Sequence, residues 1–398
     1  MSKKRKQGGL NAQSIGLHNT QKVLELIRER GSISRVEIAG RLDLSKAAIT
    51  SAVDRLLEKG FLEEEVDTEH EKVGPKPQLI SVRPNAALFL GVDVGGTSIG
   101  YGIGNLQGEI IKKRKVETAD GWEDVVQQIV RVFENRNQWH EHDQGLVQAI
   151  GVSVPGVVDQ KGRVSFAPNI EGPESFSIKE RLEEDVPVPV FVENDVNLSA
   201  LGEMNTEAIR YTDLVFVSIG TGLGVGIIIN GELYHGAFQH AGEIGWMIID
   251  REDLTFEADG PQGSLETKLS GPSLVRRARE AVDNRVDSID GIDPQEITPE
   301  RVLRLRKDYS AFNKVFNEWV EEWSIVLNNL TAILDPQLIV LGGGVSQSLD
   351  NEVIEKLRTN IKSTTQRPPK FMISPDPEKA PLRGATELCL AEFDQWFS

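Results

Sequence analysis

Residues 87–117 read ALFLGVDVGGTSIGYGIGNLQGEIIKKRKVE. An apolar run leads into Asp93-Val94-Gly95-Gly96-Thr97. Alternation then gives a second strand, a turn at Asn105-Leu106-Gln107-Gly108 and a third strand. A strand ending in Asp-x-Gly-Gly-Thr has a definite chemistry. The glycines let the backbone approach a polyphosphate, and their amides and the Thr97 hydroxyl can donate to it. Asp93 is placed near a metal or a transferred phosphoryl group; a glycine-rich hairpin without a ligand is the bland alternative.

The motif does not stand alone. Residues 214–236, LVFVSIGTGLGVGIIINGELYHG, repeat the plan: a buried strand enters Gly220-Thr221-Gly222 and leaves through another strand. LIVLGGGV at 338–345 sets Gly342, Gly343 and Gly344 after a third buried strand. Three such loops in this order predict an α/β body of the actin-like ATPase, sugar-kinase type. In that plan two lobes, here about 85–200 and 201–398, enclose a cleft with nucleotide loops on both walls.

A different pattern precedes the body. After a polar tail, 1–14, with Lys3, Lys4, Arg5 and Lys6, a helical period runs from Asn19 through Val23, Leu24 and Ile27 to a stop at Gly31. Ser34 caps a short helix carrying Val36, Ile38, Ala39 and Leu42. Asp43 and Leu44 turn the chain, and Ser45 caps a longer helix with a buried face of Ile49, Val53, Leu56 and Leu57. This is the helix-turn-helix plan. The outward face of the second helix carries Ser45, Lys46, Ala47, Thr50, Ser51 and Arg55, short polar and basic groups that fit a major groove. FLEEEV and PQLISVRP then form a wing around DTEHEKVGPKP, with Lys72 and Lys76 at its tip to reach a phosphate or the minor groove. Residues 15–84 are thus predicted to be a winged helix-turn-helix binding operator DNA, a protein-contact bundle being the alternative.

The charge divides at the same place. The chain of 398 residues has a net charge of −17, which taken whole argues against nucleic acid. Residues 1–83 hold 15 Lys and Arg against 12 Asp and Glu, and the remainder 29 against 49, so a +3 head sits on a −20 body. One cysteine, Cys389, excludes an intramolecular disulfide framework and multi-cysteine zinc sites, and fits a reducing cytoplasm. No apolar run reaches the length of a membrane span, and no signal peptide is read.

From about residue 86 onward the chain resembles the ROK family (repressors, open reading frames, kinases). The resemblance rests on DVGGT at 93–97, VPGVVD at 154–159, APN at 167–169, ENDVN at 193–197, GTGLGVG at 220–226, AGEIG at 241–245, LETKLS at 265–270 and LGGGV at 341–345. The head looks like that of ROK repressors. The resemblance implies a sugar site built from Asn169, Asn194, Asp195, Glu243 and Glu266, with Asp195 as the base for a sugar hydroxyl. His240, three residues before Glu243, is a further candidate donor.

One part of the family pattern is broken. Members commonly hold a zinc with one histidine and three cysteines; Trp246 stands at the histidine position and Ser264 at the last cysteine. No structural zinc is therefore expected. Trp246 either stacks on a sugar face or packs where the zinc lobe would stand. The combined reading is a sugar-responsive transcriptional regulator, most often a repressor, acting as a homodimer on palindromic DNA. Xylose, glucose and N-acetylated amino sugars are all compatible effectors. The alternative is an ATP-dependent sugar kinase with a regulatory head: the loops for ATP and Mg²⁺ are intact, although no cofactor is required by the first reading.

Overall fold

The computed structural model describes residues 12–66, 77–136, 146–167, 170–173, 175–204, 206, 211–256, 262–283, 292–362 and 366–397. Lys72, Lys76, Asn169 and the basic residues of the tail lie outside them.

The head begins with α1 (Ala12–Arg30), seven residues earlier than its apolar period. β1 (Ile33–Ser34), α2 (Arg35–Leu42), α3 (Lys46–Glu58), β2 (Leu62–Val66) and β3 (Gln78–Val82) follow. Ser34 and Glu37 close a reciprocal capping box on α2, and the Ser45 hydroxyl accepts from Ala48 N at the start of α3. Between the helices Asp43 takes φ 49°, a left-handed turn that aspartate tolerates. Val23, Ile27, Ile38, Ile49, Val53 and Leu56 are buried, Leu57 is half-buried, and Val36 faces solvent. β1, which the apolar pattern does not reveal, pairs with β3, so the wing is a three-stranded sheet in the order β1-β3-β2.

The first lobe contains β4 (Leu88–Val94), β5 (Ser98–Asn105), β6 (Ile110–Glu117), α4 (Trp122–Glu134), β7 (Val147–Val154), the short strands β8 (Val157–Val158), β9 (Val164–Ser165) and β10 (Ser175–Phe176), α5 (Ile178–Asp185), β11 (Val190–Asn194) and α6 (Asp195–Met204). The second contains β12 (Leu214–Ile219), β13 (Leu223–Ile229), β14 (Glu232–Leu233), α7 (Ser264–Leu269), α8 (Gly271–Asp283), α9 (Pro299–Leu305), α10 (Ser310–Leu334), β15 (Leu338–Gly342), α11 (Asn351–Lys362) and β16 (Lys370–Ile373). α12 (Ala380–Ala391) and α13 (Phe393–Phe397) end the chain.

Each lobe is built on a five-stranded mixed sheet, ordered β11-β7-β4-β5-β6 and β14-β13-β12-β15-β16. In each, the innermost parallel strands are continuous apolar runs, as burial on both faces demands. The long helix α10 belongs to the second core, where Phe312, Phe316, Trp319 and Trp323 are buried.

A cut at residue 200 does not separate the lobes cleanly. α12 crosses back and packs on α6 and on β4, β5 and β7 of the first sheet. The crossing is keyed by glycines: a Cβ on Gly384 would stand 1.8 Å from Leu198 O, and one on Gly202 2.0 Å from Ala380 O. α12 and α13 then complete the core of the head, since Cys389, Leu390, Phe393 and Phe397 share one cluster with Ile27, Leu56, Phe61 and Phe89. The Arg28 guanidinium donates to Glu387 at 2.6 Å, with both side chains largely buried. Gln107, in the β5–β6 turn, donates to Arg28 O.

Candidate functional site

The cleft floor is where β11 ends and α6 begins. Asn194 Oδ1 accepts from Val196 N and Asn197 N and so caps α6, while its Nδ2 donates to Gly156 O and Asp195 Oδ1. Asn194 is thus committed to shaping the loop, and Asp195 is the group left facing the cleft. Its carboxyl is pushed up to about 7, first by burial and then by repulsion from Asp93 and Glu243. Asp93, accepting from Ser153 Oγ at 2.7 Å, is also raised by burial, with Ser153 and Lys115 opposing.

The second lobe brings two more carboxylates. Glu243 precedes a single 3-10 turn, Ile244–Trp246, and is raised by burial and by Glu266, with His240 opposing. Glu266, in the first turn of α7, accepts from Leu223 N at 3.0 Å through Oε2 and is raised by burial. It approaches the second glycine loop closely: a Cβ on Gly222 would lie 3.0 Å from Glu266 Oε2. Four carboxylates from four segments are therefore raised chiefly by burial, and Asp93 and Glu243 repel Asp195 while Glu266 repels Glu243. Such a group stores electrostatic cost that a ligand with several hydroxyl donors relieves.

The glycine loops border this group. Gly95 N donates to Ser98 O, which leaves Gly96 and Thr97 exposed at the turn. Gly220 N donates to Gly222 O, and Thr221 is exposed. Gly343 adopts φ 80°, where a Cβ would collide with the Ile219 backbone, and one on Gly342 would strike the Phe216 ring. These turns need glycine for their own geometry, and Gly96, Thr97, Thr221 and Gly344 are the positions they leave exposed.

His240 is exposed, and its Nδ1–H donates to Phe238 O at 2.6 Å. Its ring meets Phe166 of the first lobe edge-on, centroids 6.4 Å apart. Phe166 holds φ 56°, a costly conformation for a bulky residue, immediately before Ala167. Sequence reading missed Phe166, Ser153, Glu193 and His235. The last two form an ion pair between the lobes at 2.7 Å.

The residues at two of the family's zinc positions, Trp246 and Ser264, do not fit that ion. An indole is no metal ligand, and Trp246 is 54% exposed rather than packed into the space of a zinc lobe. The segment is braced otherwise. Buried Asp253 pairs with Lys268 of α7, and Gly263 lets the backbone close on Gly245, where a Cβ would stand 2.2 Å from the Gly245 carbonyl oxygen.

On the head, Ser45, Lys46, Ala47, Thr50 and Ser51 are exposed along one side of α3. Arg55 is half-buried instead, its guanidinium lying over Gly16 of α1. Arg35 ties the head together by pairing with Asp54 of α3 and Glu64 of β2.

The sequence profile of the ROK family matches residues 89–392. The chain belongs to the ROK family. A MarR family profile matches residues 18–72, the winged head. ROK relatives divide by whether they share that head. A xylose repressor of Caldicellulosiruptor bescii is 29% identical over 348 residues, covering 85% of this chain and 86% of its own. A ROK family transcriptional regulator, a homologue of the E. coli MLC protein, superposes with a TM-score of 0.82 over 96% of this chain and 98% of its own at 21% identity, a likeness of fold. A ROK glucokinase from Streptomyces griseus in complex with glucose and AMPPNP is 30% identical, with a TM-score of 0.62 over 76% of this chain and 98% of its own.

Proposed function

We propose that this ROK protein is a sugar-responsive transcriptional repressor of carbohydrate-utilisation genes. A cytoplasmic homodimer places two α3 helices in successive major grooves of a palindromic operator, and a sugar, xylose foremost, is the effector held between the lobes. The observation that carries the reading is the continuity of head and body. A winged helix-turn-helix shares its core with α12, and α12 packs on the helix that starts at Asp195. A ligand that closes the cleft acts on the seat of the DNA-reading head. A coupling of ~1–3 kcal/mol changes operator affinity about 5–150-fold.

Within the cleft, Asp195, Glu243 and Glu266 accept from sugar hydroxyls, and Asn194 holds the Asp195 loop in place; Asn169 joins them by family position. The test is binding to DNA upstream of the gene with and without D-xylose, D-glucose and N-acetylglucosamine. Specific binding weakened by one sugar is the expected result; failure to bind any local palindrome refutes the reading.

One observation favours a second activity. Asp195, near neutrality beside intact Gly95–Thr97, Gly220–Gly222 and Gly342–Gly343 loops, has the features of a base for a sugar hydroxyl. ATP with Mg²⁺, when bound, supplies the phosphoryl group and its charge neutralisation; the loops would hold its phosphates. An ATP assay across the same sugars with no turnover removes this activity.

A further inference from the structure

We propose that His235 is a positioning residue of the sugar cleft. Carried by the second lobe, it grips Glu193 of the first and thereby fixes the Asn194–Asp195 step against that second lobe. The inference rests on the sugar reading above.

The geometry is specific. His235 follows β14, and its Nε2–H donates to Glu193 Oε2 at 2.7 Å, while Glu193 is the last residue but one of β11 in the other sheet. Glu193 Oε1 accepts from Asn194 N at 2.7 Å and from Asn197 Nδ2 at 3.0 Å. One carboxylate thus spans a group from the opposite lobe and two groups, Asn194 N and Asn197 Nδ2, that flank Asp195 at the strand–helix junction. His235 is fixed in turn: its carbonyl accepts from Ala241 N, and Gly236 turns behind it at φ 72°. It therefore also anchors the segment leading to Glu243.

This is not an ordinary surface pair, which contributes little because both ends stay solvated. Glu193 is only 13% exposed at its side chain and His235 32%, and the partners lie on separate lobes. The start of α6 already packs on β13 of the second lobe, where a Cβ on Gly226 would stand 2.8 Å from Val196 O, and the pair pins the end of β11 to that same lobe, so a ligand that touches both lobes finds Asp195 already placed.

Protonation adjusts the grip. Glu193 is the charged group facing the ring from β11, and on its own loop His240 is turned to Phe238 O. The hydrogen bond to Glu193 raises the imidazole above its ordinary value, against burial. The contribution is therefore full below pH 6.5 and fades as pH rises through the raised value. Asp195 works oppositely, accepting sugar hydroxyls better as it ionises near 7.

The experiment titrates D-xylose, D-glucose and N-acetylglucosamine into the full-length chain by calorimetry between pH 5.5 and 8.5, comparing wild type, His235→Ala and His235→Gln. Operator binding without sugar reports folding. His235→Ala is expected to weaken sugar binding roughly tenfold or more at pH 6, the loss of a charge-assisted hydrogen bond. His235→Gln, which still donates but does not titrate, should restore most of the affinity at pH 8 and lack the acid-side gain. Affinity of His235→Ala within twofold of wild type at every pH overturns the proposal. If that variant does not fold, the same acid-side gain in His235→Gln as in wild type overturns it. Wild type binding none of D-xylose, D-glucose and N-acetylglucosamine at any pH overturns the sugar reading and the inference with it, whereas normal wild-type binding with unaffected variants overturns the inference alone.

Discussion

Replacing Asp195 by asparagine should make the unliganded protein more stable and the repressor blind to its effector. Asp195 Oδ1 accepts from Val196 N at 2.9 Å and Asn194 Nδ2 at 3.1 Å, and an amide oxygen keeps both bonds. What changes is charge. Holding a carboxyl at about 7 instead of 3.8 costs the folded chain, at pH 8, about 4 kcal/mol in full, and roughly half that once cleft water screens it. The sign follows from linkage. A carboxyl raised on folding favours the folded state below 3.8, and that advantage is lost as pH rises through about 7. Urea midpoints followed by tryptophan fluorescence should coincide for wild type and variant at pH 4 and separate at pH 8, with the variant ahead by about 2 kcal/mol. Saturating sugar reverses the order, because ligand at a hundredfold over Kd adds about 2.7 kcal/mol to wild type and nothing to the variant. Parallel pH–stability curves would refute the placement of Asp195 as an electrostatically strained group. A normal sugar gain in the variant would refute its role as a ligand.

Lys46→Ala or Thr50→Ala should cost about 1–3 kcal/mol on the operator and relax sequence preference, while leaving non-specific binding nearly unchanged, as competition with mutated half-sites would show. Gly222→Ala places a methyl against Glu266 Oε2 and should weaken sugar binding with the head's operator affinity intact; calorimetry and gel shift together check both halves. Arg28→Ala leaves Glu387 buried without its partner, a loss of roughly 3 kcal/mol. It should loosen the head first, giving an earlier calorimetric transition and operator binding that sugar no longer releases.

The glycine loops and the helix-turn-helix were legible because each depends on local chemistry: caps, left-handed turns, and strands buried on both faces. Ser34, Ser45 and the three loops appear in the structure where the sequence placed them. Other features depend on partners remote in sequence. β1 is two residues long and exists because β3 passes beside it. Arg55 looks like a groove-reading residue on its own helix, yet α1 lies beneath it. Glu193 and His235 both fall inside motifs quoted from the sequence, but 42 residues separate them and nothing local marks them as a pair. Trp246 reads as either a sugar-stacking or a packing residue, yet it is 54% exposed, and the Asp253–Lys268 pair that braces the segment joins residues with no local mark of their pairing.

The shared core of head and tail has a consequence for anyone building chimaeric sensors. Grafting this head onto another sugar-binding body at the wing–body junction would leave Phe61 without Phe397, and Arg28 without Glu387. The body left behind would expose Phe393 and Phe397 to water, a sticky surface at the end of an otherwise acidic molecule. The exchangeable cassette is discontinuous: residues 12–86 together with 387–397. A transplant that carries both ends of the chain should stay soluble and responsive, and one that carries only the first should bind DNA without hearing the sugar.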